Sequence, residues 1–157
     1  MMPRGAVRSD EIASELAARV SALQRVLRRR IRAALDEPRL SAAEGELLNL
    51  VASHPGLRVG DAAIALRLAP NTVSTIVRRL VHDGLLVTKQ DTVDRRGVRL
   101  RASAAGNRLL RRWRSERTQL LTRALEQLSE SDHDALTAAL PILAELAMAL
   151  EEERAPL

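Results

Sequence analysis

The stretch APNTVSTIVRRLVHDGLL, residues 69–86, decides the fold. Its apolar residues Val73, Ile76, Val77, Leu80 and Val81 fall at i, i+3, i+4, i+7 and i+8, one face of an amphipathic helix. The other face holds Asn71, Thr72, Ser74, Thr75, Arg78 and Arg79, all hydrogen-bond formers, with no acid among them. Such a face suits the major groove of DNA, where arginine pairs with guanine, asparagine with adenine, and Ser or Thr with base edges or phosphates. Pro70 fits the first position of that helix, and Gly84 fits the left-handed residue that ends it. An ordinary surface helix has the same period, so the flanking sequence must decide between the two.

Upstream, Ser41-Ala-Ala-Glu44 matches a capping box, in which Ser and Glu satisfy each other's exposed amides. A helix runs from it through Leu47, Leu48, Leu50 and Val51 and stops near His54-Pro55-Gly56. A short helix follows from about Gly60 to Leu66, then the tight turn Arg67-Leu68-Ala69. Two helices joined by such a turn form a helix-turn-helix with the second as reader. Downstream the period changes to two. Leu85-Leu86-Val87-Thr88 reads as a strand, and Val98, Leu100 and Ala102 alternate with Arg99 and Arg101. The turn between holds Asp94, Arg95 and Arg96, which gives a hairpin wing with a basic tip. Asp94 and Arg96 share a face, so the carboxylate can aim the guanidinium at a minor groove, where negative potential concentrates.

Long helices flank this region. Ser9 is a good N-cap for a first helix, with Asp10 and Glu11 in its first turn and Asp36, Glu37 and Pro38 at its end. Its apolar positions Ile12, Leu16, Val20, Leu23, Leu27, Ile31 and Leu35 continue for about seven turns, more than a small domain needs, which implies packing against a second chain. The arginines at 28–30 and 32 read as solvated. Ser103 caps another helix reaching about Leu128, and Ser129-Glu-Ser-Asp132 starts a last one, kinked at Pro141. The expected division is residues 9–36 and 103–150 for dimerisation and residues 40–102 for the winged helix-turn-helix, with frayed tails at 1–8 and 151–157. The fold class is mainly α with a small β-hairpin.

Composition narrows the function. The net charge of +5 is uneven: residues 58–112 hold twelve Lys/Arg against four Asp/Glu, whereas residues 113–157 hold four against nine. A basic middle third is the footprint of a polyanion binder. The chain has no cysteine, which excludes disulfides, thiol sensing and thiolate-ligated metal. No apolar run approaches bilayer length and the N-terminus lacks a leader's apolar core, so the expected compartment is the cytosol, with no membrane. There is no nucleophile elbow, phosphate-cradling loop or Cys/His metal spacing, so no enzyme, metal or cofactor is expected. His54, His82 and His133 are far apart, leaving only a His/carboxylate site across a dimer as a metal alternative. Trp113, the only aromatic residue, reads as core or as the wall of a ligand pocket together with Leu109.

The order of these elements and three strings resemble the MarR family of winged helix-turn-helix regulators. The strings are Leu57–Ala65 leading into Pro70-Asn-Thr-Val-Ser74, then Leu80-Val-His-Asp-Gly84-Leu85, then Asp94-Arg95-Arg96 with Val98-Arg-Leu100 and Gly106. The resemblance covers roughly residues 9–150, and it departs from the family pattern at Ala69, at Arg101-Ala102-Ser103 and in a wing tip without proline. The resemblance implies a homodimer built by the first helix and the last two, with both reader helices on a near-palindromic double-stranded DNA operator. It implies a repressor relieved by a small molecule, often an aromatic acid, bound between the dimerising and reading regions. A PadR-type winged helix, a nonspecific DNA binder and a helical interaction module are the alternatives; the helix before the helix-turn-helix and the long pair after it favour MarR.

Overall fold

The computed structural model describes residues 4–35, 40–90 and 98–152. Among these residues the elements in order are α1 (Arg4–Ala34), α2 (Ala42–Ser53), β1 (Leu57–Arg58), α3 (Val59–Leu66), α4 (Pro70–His82), β2 (Leu86–Gln90), β3 (Val98–Ala102), α5 (Ala104–Leu125) and α6 (Glu130–Glu152). The chain divides into two compact units, residues 1–117 and 118–157, with the division inside α5.

The first unit is built on α2, α3, α4 and a three-stranded antiparallel sheet in the order β1-β3-β2. Its core is one cluster that includes Leu47, Leu48, Val51, Val73, Leu80, Leu86 and Leu100, each at most 1% exposed. Burial of each such leucine contributes about 1.5–3 kcal/mol. The expected hairpin is present: Thr88 pairs with Leu100 and Lys89 with Arg99. The sheet has a further member, β1, whose Leu57 pairs with Leu100 and Arg58 with Arg99. The third helix accordingly starts at Val59, directly off β1.

Local signals set the element ends. Ser41 and Glu44 form the capping box, with Ser41 N–H donating to Glu44 Oε2 at 2.7 Å and Glu44 N–H donating to Ser41 Oγ at 3.3 Å. Gly84 adopts φ +70 after α4. There its N–H reaches Val81 O and the Leu85 N–H reaches Leu80 O, two nested bonds that close the helix, with Leu80 and Leu85 both buried. The same nested pair ends α3, with Arg67 at φ 52 in place of a glycine. Ser103 caps α5: its Oγ accepts the Gly106 N–H at 3.0 Å and donates to Gly84 O at 2.6 Å.

Several expectations need correction. α1 begins at Arg4, so Ser9, Asp10 and Glu11 lie inside the helix and part of the expected N-terminal tail is helical. The stop at Asp36, Glu37 and Pro38 lies outside the described residues. Val81, placed on the apolar face of α4, is 36% exposed, because the buried stripe narrows to Val73, Ile76, Val77 and Leu80. α5 ends at Leu125, three residues early.

In the second unit, Ser129 caps α6, its Oγ accepting the Asp132 N–H at 3.2 Å. Pro141 lies within α6 without ending it. Contrary to the expectation of no membrane-length run, Glu130–Leu150 is long and apolar enough to cross a membrane by length and composition, with a mean hydropathy of 1.3. Among the described residues none of its side chains is buried; Leu140, Ile142 and Met148 are each more than 60% exposed. Among the described residues, α1 too gives no side chain to the buried core and exposes Ile12, Val20, Leu23 and Val26.

Candidate nucleic-acid interface

The buried stripe of α4 fixes what its other side presents. Directly opposite lie Asn71, Thr75, Arg78 and His82, recurring at i, i+4, i+7 and i+11, all exposed. Thr72 and Arg79 lie on one flank, and Ser74 and Val81 on the other. The outermost line is pre-ordered: Thr75 Oγ1 donates to Asn71 O at 3.0 Å and accepts Arg78 Nη2 at 3.2 Å. Ser74 Oγ donates to Pro70 O at 2.8 Å. The helix starts at Pro70 after Ala69, which supplies no side-chain cap. His82 stands at the end of the outermost line with Nδ1 3.2 Å from Asp83 Oδ1.

Arg79 is engaged differently. Its Nη1 lies 3.0 Å from Glu44 Oε1, a carboxylate on α2 whose side chain is 5% exposed. The partner stands 35 positions upstream, so nothing local in the sequence pointed to this pair.

The expected wing-tip residues Asp94, Arg95 and Arg96 lie outside the described residues. The strands that carry the tip are described. Lys89 stands opposite Arg99 and Val87 opposite Arg101, which places Lys89, Arg99 and Arg101 on one exposed face. Like charges directly across a ladder are destabilising in the free protein, and a polyanion relieves that repulsion. Arg99 Nη1 donates to Gly56 O at 3.2 Å, bracing this face against the turn before β1. Lys89 was not singled out from sequence; strand pairing alone puts it in this row.

A cavity of about 360 Å³ opens between the C-terminal half of α1, the first turns of α2 and α5. Trp113 forms part of its wall together with Leu27, Ile31, Leu110 and the polar Asn49, Arg28, Arg32, Arg114 and Arg117. The Trp113 ring lies against Gly45, where an added Cβ would stand 3.2 Å from Cζ3. Leu109, paired with Trp113 as pocket wall from sequence, is 3% exposed in the core and does not line the cavity. Arg114 Nη2 donates to Asn49 Oδ1 at 2.8 Å, and both residues line the cavity.

A helix-turn-helix with an acid-free reader face, followed by a two-stranded wing with a basic outer row, defines a winged-helix DNA-binding domain. Residues 40–98, which hold the helix-turn-helix and most of the wing, match the MarR family model. The fold of the chain is shared with solved structures. A candidate transcriptional regulator of Pseudomonas aeruginosa is 26% identical, with a TM-score of 0.78 over 90% of this chain and 97% of that one. MepR of Staphylococcus aureus bound to ethidium bromide is 22% identical, with a TM-score of 0.60 over 83% and 95%. FabT of Streptococcus pneumoniae in complex with DNA is 18% identical, with a TM-score of 0.64 over 92% and 99%. No curated protein sequence matches the chain.

Proposed function

We propose that the protein is a homodimeric, sequence-specific regulator acting in the cytosol, a repressor released from a near-palindromic operator by a small-molecule ligand. The observation that carries this is the outer line of α4, where a threonine already holds an arginine in place beside an asparagine. In this reading Pro70 starts the helix, Asn71, Thr75 and Arg78 enter the major groove, and Thr72 and Ser74 support from the two flanks. The wing, with Asp94 aiming Arg96 and with Arg95, Lys89 and Arg101, lies along the backbone and the adjacent minor groove.

Dimerisation is supported by apolar surface that stays exposed among the described residues. Leu140, Leu143 and Leu150 of α6 are open, as are Ile12 and Leu23 of α1. A second copy covers such surface without lipid. Glu145, in the middle of α6, is costly at a bilayer centre, by about 2.5–3.5 kcal/mol for a central acidic side chain. Twofold symmetry then sets the two reader helices about 10 base pairs apart. The ligand reading rests on the Trp113-walled cavity, and on the presence of ethidium in the structure of MepR. Four arginines and one flat ring favour an anionic aromatic occupant.

Selection from a random duplex library, followed by anisotropy titrations at several salt concentrations, tests the reading. A twofold-related consensus bound at least about 1,000 times more tightly than a shuffled duplex is expected. Equal, salt-dependent affinity for every duplex sinks the proposal in favour of a nonspecific DNA binder.

A further inference from the structure

The ion pair between α2 and α4 carries more than its distance suggests. Glu44 has both carboxylate oxygens engaged: Oε2 by the Ser41 N–H inside the α2 cap, and Oε1 by the Arg79 guanidinium. The Glu44 side chain is 5% exposed, whereas Arg79 remains 60% exposed and also has its Nε 4.0 Å from Asp83 Oδ2. Arg79 stands on the flank of α4, off the line Asn71–Thr75–Arg78–His82. While paired, Arg79 can offer only the donors that Glu44 does not hold, and to turn its whole guanidinium onto DNA it must leave a buried carboxylate without its cation, a strongly unfavourable state. The other side of the pair is rigid, because the same carboxylate closes the capping box of α2.

We infer that Glu44 and Arg79 form a strut that sets the seating of the reader helix on α2, which makes Arg79 a positioning residue and not a DNA contact. The inference rests on the DNA-reading function proposed above. It separates two adjacent arginines that the sequence presents as equivalent: Arg78 reads, and Arg79 holds.

A double-mutant cycle on the full chain tests it. Gln at position 44 keeps the capping box, which accepts Glu or Gln, and removes only the charge that holds Arg79. Against a duplex enriched from the random library, Glu44→Gln and Arg79→Gln each lower affinity about tenfold, and the double variant also loses about tenfold because both changes remove one contact. Arg79→Lys recovers part of the loss. The salt dependence of binding has the same slope in all four proteins of the cycle, since no phosphate contact disappears. A slope lower by about one in Arg79→Gln, with Glu44→Gln near wild type, overturns the strut and makes Arg79 a phosphate contact. Losses that multiply in the double variant overturn it as well. Amide hydrogen exchange without DNA separates this proposal from the DNA-reading one. The amides of Val77–Asp83 exchange faster, and equally so, in both single variants; unchanged exchange refutes the strut whatever the protein does on DNA. A wild-type chain that enriches no duplex removes the DNA-reading function and leaves the exchange result to decide the strut.

Discussion

Gly106→Ala is a stringent check on how the wing is joined to the helices. Gly106 is in the first turn of α5, in ordinary helical conformation, so alanine there gains about 1 kcal/mol in helix propensity. The surroundings reverse that gain. A Cβ at position 106 would lie 2.2 Å from the Leu85 carbonyl oxygen and 3.1 Å from Leu48 Cδ1. The leucine methyl can swing away, but the carbonyl cannot move freely, since it accepts the Ser103 N–H at 3.0 Å. Restoring a normal contact means shifting α5 against Leu85 by about 1 Å, an overpacking cost of about 3 kcal/mol. The shift also stretches the bonds that Ser103 makes to Gly84 and Gly106, a loss of about 1 kcal/mol. The net expectation is destabilisation by about 3 kcal/mol, seen as a fall in thermal midpoint of about 6–12 °C for a chain of this length. Far-ultraviolet dichroism during heating and urea unfolding, at fixed protein concentration, measures it. Gly45→Ala is the comparison: its Cβ would meet a ring edge at 3.2 Å rather than a carbonyl, and the expected cost is about 1 kcal/mol or less. A Gly106→Ala chain as stable as wild type, or more stable, refutes the close approach of α5 to Leu85.

Three further expectations follow from named contacts. Asn71→Ala or Arg78→Ala changes the preference at a contacted base pair by about 1–3 kcal/mol; a uniform loss across all duplexes marks the residue as a phosphate contact instead. Ser103→Ala removes an acceptor for the Gly106 N–H and a donor to Gly84 O, and lowers unfolding stability by about 1–2 kcal/mol in urea titration; no change in midpoint shows that the cap carries no weight. Leu140→Glu, on the open apolar surface of α6, shifts sedimentation at micromolar concentration from dimer towards monomer; an unchanged dimer places the interface elsewhere.

What the sequence revealed and what it concealed divide by range of interaction. α4, the Ser41–Glu44 box, the left-handed Gly84 and the caps at Ser103 and Ser129 depend on residues within about a turn of one another, and a one-dimensional pattern holds them. β1 was invisible because two residues, Leu57 and Arg58, have no period; they become a strand only by pairing with Leu100 and Arg99 more than forty positions later. Glu44 was legible as a cap and not as the partner of Arg79, for the same reason. The start of α1 was misplaced because Ser9 is a good cap, yet the arginine and alanine before it are good helix formers and the helix continues to Arg4. Leu109 and Trp113, four residues apart on α5, looked like one wall. The structure puts the leucine in the core and the indole at the cavity, which periodicity alone does not separate.

The ring against Gly45 has a consequence outside stability and binding. With no tyrosine or phenylalanine anywhere in the chain, Trp113 is its sole aromatic chromophore. The chain therefore emits from one place, and that place is the wall of the cavity. Wavelength, quenching and lifetime of that emission report the polarity and occupancy of this cavity alone, in the unaltered protein and without an attached dye.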